Sequence, residues 1–271
     1  MMSAVPFIYQ APKLPLLPIL VSVPHCGVQF PKDIHSDFSD EILKNPPDTD
    51  WLVDELYSFV LSLGVGILKA KYSRYVVDLN RDPEDRPLYN DSRPQFSLFP
   101  LQTFMGEKIY RDPDFILTTE IKQSRKKIYY DPYHAELERR ILELQKSFKH
   151  ILIIEAHSIK RLVPSIQRTP FPDLIIGTNE GKSAHPLLES NIINNLRSDG
   201  SFQFSLNEPF RGGYITRHYA RPDVGVHFIQ IEMSQDLYLD EFNKVDAQKS
   251  GRFESVMKLI LLELAKVLKQ L

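Results

Sequence analysis

The chain has 271 residues, 33 Lys and Arg against 35 Asp and Glu for a formal charge of −2, and 42% hydrophobic beside 25% charged residues. These proportions suit a folded protein with a sizeable core and exclude both wholesale disorder and capture of a polyanion by bulk charge. A single cysteine, Cys26, excludes an internal disulfide and a cysteine-rich zinc site, so any metal must rest on carboxylates and the eight histidines.

Near the start, Leu14, Leu16, Leu17, Ile19 and Leu20 are interrupted by Pro12, Pro15 and Pro18, unlike the continuous apolar segment of a signal peptide. No apolar run approaches the roughly 18 residues of a spanning helix. The expectation is a cytoplasmic chain with no membrane or nucleic-acid partner. Residues 18–23 form a buried-strand pattern that stops at Pro24-His25, and 50–63 carry Leu52, Val53, Leu56, Phe59, Val60 and Leu63 at helical spacing, with Asp48 or Asp50 as cap. A turn at Gly64-Val65-Gly66 leads into 67–70, and 75–79 predict a further strand ended by Asn80-Arg81-Asp82-Pro83. Residues 84–118 predict a long ordered loop, because Phe96, Phe99, Phe104 and Tyr110 need burial. The spacing over 113–148 predicts one or two helices broken near Asp131-Pro132. An unbroken apolar run over 150–156 predicts a strand covered on both faces. A helix follows at 186–197 with Pro186 in its first turn, then a turn at Gly212-Gly213, an alternating strand at 226–232 and a helical segment within 240–271. Short apolar runs alternating with helical patterns predict one α/β domain over 1–271 with a mostly parallel or mixed sheet.

Three predicted strands are followed by polar groups: His25, Asn80-Arg81 and His157. In α/β folds ligand sites are built at the carboxyl ends of strands. One aspartate of Asp48-Thr49-Asp50 suffices as a helix cap, leaving the other free to join two histidines in a three-ligand zinc site with an open position for water. Glu232, ending its strand, is either a structural ion-pair member or a general acid and base. Arg81, Arg211 and Arg217 are candidates for reading a substrate carboxylate. For His134, after Asp131-Pro132-Tyr133, a place in the core or at a helix start stands beside a place lining the cleft.

Five phrases in order resemble the N-formylglutamate amidohydrolase family: Ser22-Val23-Pro24-His25-Cys26-Gly27, Asp48-Thr49-Asp50-Trp51, Ser73 to Arg81, Glu155-Ala156-His157-Ser158-Ile159 and Gly212 to His218. Asp78-Leu79-Asn80-Arg81 also resembles the aspartoacylase and succinylglutamate desuccinylase branch. The resemblance implies a zinc carboxypeptidase-like (phosphorylase/hydrolase-like) α/β fold, its mixed sheet flanked by helices. It implies a Zn2+-dependent amide hydrolase of histidine degradation, cleaving the small molecule N-formyl-L-glutamate or a close N-acyl amino acid. His25 and His157 would be metal ligands with Asp50, or alternatively Asp48. Glu232 would be the acid/base, and Asn80 and Arg81 would hold a substrate carboxylate, with Arg217 as a second candidate. Glu155 stands where the family pattern has Asp, and Lys160-Arg161 where it has Arg-Ser. A hydrolase of another acyl-amino acid or peptide and a non-catalytic ligand-binding protein are the competing readings.

Overall fold

The longest apolar runs of the chain form the middle of a seven-stranded mixed sheet in the computed structural model, which describes residues 5–88 and 96–271. The strands are β1 (Phe7–Gln10), β2 (Ile19–Val23), β3 (Gly66–Ala70), β4 (Ile151–Ile159), β5 (Leu174–Gly177), β6 (Phe204–Leu206) and β7 (Val226–Ser234), in the order β1-β3-β2-β4-β7-β5-β6. β3, β2, β4 and β7 run parallel; β1 is antiparallel to β3, β5 is antiparallel to β7, and β6 is parallel to β5. The helices are α1 (Asp40–Lys44), α2 (Val53–Leu56), α3 (Thr119–Arg125), α4 (Asp131–Gln145), α5 (Pro186–Asp199), α6 (Tyr214–Tyr219) and α7 (Ala247–Gln270).

Every residue of β2, β4 and β7 is buried, because successive side chains point to opposite faces and both faces are covered. Ile19, Val21, Leu152, Ile154, Ile229 and Ile231 join Ile192 and Leu196 of α5 and Met257, Ile260 and Leu264 of α7 in one cluster. Leu20, Ile151, Ile153 and Phe228 join Tyr133, Leu137, Ile141 and Leu144 of α4 in the other. The expected α/β class with a mixed, helix-flanked sheet is therefore present. Among the described residues no helix is long and apolar enough to cross a membrane.

Some local expectations are corrected. Residues 75–79 are not a strand but a buried turn: Val76 N–H donates to Ser73 and Asp78 N–H to Leu98. Tyr75, Val76, Val77 and Leu79 are apolar because this loop packs into the core beside α4. Over 50–63 only α2 is α-helical, and tighter 3-10 turns continue it over Tyr57–Leu63. The helical segment 119–145 does not break at Asp131-Pro132. A π-turn at Lys126–Tyr130 joins α3 to α4, with Asp131 N–H reaching back to Lys126. Pro132 supplies no N–H in the first turn of α4, and the wider turn just before it absorbs that loss. β4 and β7 outrun their expected ends, so His157 and Glu232 lie within strands, opposite each other in register. Part of the expected loop, 89–95, lies outside the described residues.

Candidate metal-binding active site

Three elements bring their polar residues together at the carboxyl ends of the parallel strands. β2 ends one residue before Pro24-His25, β4 carries Glu155 and His157, and β7 carries Gln230 and Glu232. Asp50 arrives on the segment before α2, with its N–H donating to the His25 carbonyl at 3.1 Å. The resulting cavity, about 240 Å³, is lined by His25, Asp50, His157 and Glu232, by Arg74, Asn80 and Arg81, and by an apolar wall that includes Phe96, Phe104 and Phe210.

Both histidines are oriented by carboxylates. His25 Nε2 lies 2.7 Å from Asp78 Oδ1, and His157 Nε2 lies 2.8 Å from Glu155 Oε1. Each ring therefore donates from Nε2 and turns Nδ1 towards Asp50, whose Oδ2 is 3.9 Å from His25 Nδ1 and 2.9 Å from His157 Nδ1. These three buried residues offer ligand atoms that all lie within 4.8 Å of one another. With the proton between His157 Nδ1 and Asp50 displaced, the two Nδ1 atoms and the Asp50 oxygen can offer lone pairs to one cation, and the paired carboxylates behind the rings are the usual support of histidine ligands. The electrostatics agree: burial lowers the His157 pKa, but hydrogen bonds to Asp50 and Glu155 outweigh it and hold the ring well above its ordinary value. The pull that keeps a proton there is the pull a divalent cation would satisfy. The group can hold a metal ion.

The support behind these residues is continuous. Glu155 accepts from Asn80 Nδ2 and from Thr216 Oγ1, while Asn80 Oδ1 accepts the Ile215 N–H at 2.8 Å. The first turn of α6 thus fixes both Asn80 and Glu155. Gln230 Oε1 takes the Gly213 N–H at 2.7 Å, and its amide nitrogen lies 3.4 Å from Glu232. Burial pushes the Glu232 carboxyl up to about 8. Arg74, buried, donates to Asp78 Oδ2 at 2.6 Å; burial tends to raise the Asp78 pKa, but Arg74 and His25 hold it well below the usual carboxylate range.

Each candidate from the sequence has a definite place. His25, Asp50, His157, Asn80, Arg81 and Glu232 share the cavity. Asp48 does not join them: its Oδ2 accepts from Tyr75 Oη and Phe104 N–H, both at 2.7 Å, and ties two loops together. Arg217 is turned to the Gly212 and Leu88 carbonyls at 2.8 and 3.1 Å and does not line the cavity. Arg211 pairs with Glu180 at 3.0 Å. Sequence reasoning gave Asp78 and Arg74 no role, although both lie in the family phrase Ser73 to Arg81 and form a pair of opposite charges four residues apart.

Gly213 tests this support. A Cβ there would fall on the Asn80 side-chain amide, and its φ of −78° is open to any residue, so the effect of Gly213→Ala is purely steric. Displacing Asn80 loosens Glu155 behind His157, and metal affinity is expected to fall about 10-fold, measured by chelator competition.

Comparison with known proteins places the chain in one group. A model of the family described as N-formylglutamate amidohydrolase matches residues 17–239. Proteins named N-formylglutamate deformylase from Pseudomonas putida and Pseudomonas aeruginosa are 34% and 35% identical over 225 residues, which is 83% of this chain and 83% of each relative. The crystal structure of N-formylglutamate amidohydrolase from Ralstonia eutropha JMP134 aligns with a TM-score of 0.83 at 25% identity, over 98% of this chain and 99% of that one. A gene product of Agrobacterium tumefaciens shares the fold, with a TM-score of 0.71 at 19% identity over 97% of each chain.

Proposed function

The chain belongs to the N-formylglutamate amidohydrolase family, and from this premise we propose that it is a zinc-dependent enzyme that hydrolyses N-formyl-L-glutamate to formate and glutamate. The observation that carries the metal is the pair of histidines braced at Nε2 by Asp78 and Glu155, so that both Nδ1 atoms and Asp50 Oδ2 face one point. A zinc ion held by His25, Asp50 and His157 would supply the positive charge that polarises the formyl carbonyl and lowers the pKa of water. A zinc carboxypeptidase-like ancestry, a cytoplasmic location and a place in histidine degradation go with this reading.

The chain's own groups then divide the work. Asp78 and Glu155 keep the two rings in one tautomer and one orientation. Arg81, whose guanidinium lies 5.6 Å from the centre of the Phe96 ring, takes a substrate carboxylate, and Asn80 fixes the loop beside it. Glu232 takes a proton from the attacking water and delivers it to the departing glutamate nitrogen, serving as general base and then general acid. Phe96, Phe104 and Phe210 exclude water from one side of the cavity.

Metal analysis of the purified protein, with formate release from N-formyl-L-glutamate before and after chelation and zinc restoration, tests the proposal. Absence of bound metal together with chelator-insensitive turnover would overturn the zinc assignment. Loss of a charge-assisted hydrogen bond costs about 1.5–3 kcal/mol, so Arg81→Ala is expected to raise KM by about 10- to 100-fold with little change in kcat. An unchanged KM would remove Arg81 from substrate binding. The aromatic wall favours, as second reading, an N-acyl amino acid with a larger apolar group, which a substrate panel would reveal by a higher kcat/KM than for N-formyl-L-glutamate.

A further inference from the structure

Behind the loop that carries Asn80 and Arg81, two side chains from the helical segment 119–145 reach its backbone. Tyr130 Oη donates to the Arg81 carbonyl at 2.8 Å, and His134 Nε2 lies 2.9 Å from the Leu79 carbonyl. Tyr219 Oη lies 3.0 Å from His134 Nδ1, which leaves Nε2 as the donor. The Tyr130 and His134 rings stack with centroids 4.0 Å apart. Burial pushes the His134 pKa down to about 3, so the ring stays neutral and both hydrogen bonds persist throughout the neutral range. Tyr130 is the last residue of the π-turn, and His134 follows one helical turn later on the same face. Single π-turns recur at functional sites because the added residue re-aims the side chains around it.

We propose that Tyr130 and His134 are positioning residues that set substrate affinity by gripping the carbonyls on either side of Asn80 and so holding Arg81 in place. The inference rests on the reading of Arg81 as the carboxylate-binding group. Neither side chain lines the cavity, so each acts only through the 79–81 backbone.

In the full-length protein, Tyr130→Phe deletes one hydroxyl and keeps the ring. It is expected to raise KM for N-formyl-L-glutamate about 3- to 10-fold with kcat within twofold, and to speed amide hydrogen exchange in the peptide covering 78–83. In an Arg81→Ala background the same change is expected to move KM by less than twofold, whereas a general loss of structure would act equally in both backgrounds. His134→Gln, which retains an amide donor, is expected to stay close to wild type in KM where His134→Leu does not. If His134→Leu fails to fold, the tyrosine variant still decides. Unchanged KM and exchange in Tyr130→Phe, or a fully additive effect with Arg81→Ala, would overturn the proposal. Failure of the functional reading looks different: the wild type releases no formate, and exchange at 78–83 still reports the grip, with an unchanged rate overturning it and a faster one upholding it.

Discussion

Glu232→Gln is expected to lower kcat for formate release by about 10²- to 10⁴-fold while leaving the metal content of the protein unchanged. Glutamine matches the shape of the side chain and can still meet Gln230, but it neither accepts nor releases a proton at the reacting atoms. Glu232 is buried, faces His157 in register across β4 and β7, and lines the same cavity. Stability separates this role from that of a structural ion-pair member. Burial raises the carboxyl to about 8 in the fold, above its value of roughly 4.3 in an unfolded chain. The folded state therefore binds the proton more tightly, and the carboxyl costs stability increasingly as pH rises from about 4.3 to about 8. Removing it should leave the metal-free melting temperature near wild type at pH 4–5 and raise it at pH 8–9. A structural partner would show the reverse, a fall in stability at neutral pH with turnover retained. Unchanged kcat would exclude Glu232 from proton transfer.

The parts of this molecule legible in the sequence are those whose signal is local. The apolar runs of β2 and β4 have no polar face to show because the sheet is covered on both sides, and the Pro186 start marks α5 directly. The run at 75–79 misleads for a physical reason: a loop pressed into the core needs the same side chains as a central strand, and only its lack of a paired strand among the described residues separates them. β5 and β6 are short, and an apolar four-residue strand such as Leu174–Gly177 has no period to read. The site itself is least local. Asp50 and His157 are 107 positions apart and meet only because α/β topology returns the chain beside β2. No spacing rule reaches that far: strand ends marked His25 and His157 and a helix start marked Asp48 or Asp50, and only the family phrases favoured Asp50 as the third ligand. The phrase beginning at Gly212 also suggested Arg217, but α6 turns that side chain to backbone carbonyls and uses its first turn to hold Asn80 instead.

Asp78→Asn is expected to have the largest effect on stability, about 3–5 kcal/mol at pH 7, because Asp78 is a buried carboxylate on which the Arg74 cation, His25 and the Asn80 N–H converge. Its Oδ1 takes His25 Nε2 and, at 2.9 Å, the Asn80 N–H; its Oδ2 takes the Arg74 guanidinium. Asparagine keeps one acceptor oxygen but removes the charge, leaving a buried Arg74 cation without its carboxylate. Metal affinity should fall about 10- to 100-fold at the same time, since His25 loses the partner that orients it. The pH dependence has a definite sign. The folded Asp78 pKa lies well below that of an unfolded aspartate, so its contribution is complete above about pH 4 and is lost as pH falls through the folded value. Urea denaturation should show a gap between wild type and Asp78→Asn that is flat from pH 8 to 5 and narrows only under strong acid. A gap below about 1 kcal/mol at pH 7 would mean that Arg74 finds another partner, and that Asp78 serves His25 alone. The same variant therefore separates two duties of one carboxylate: a loss confined to metal affinity assigns it to the site, and a joint loss assigns it to the site and the fold together.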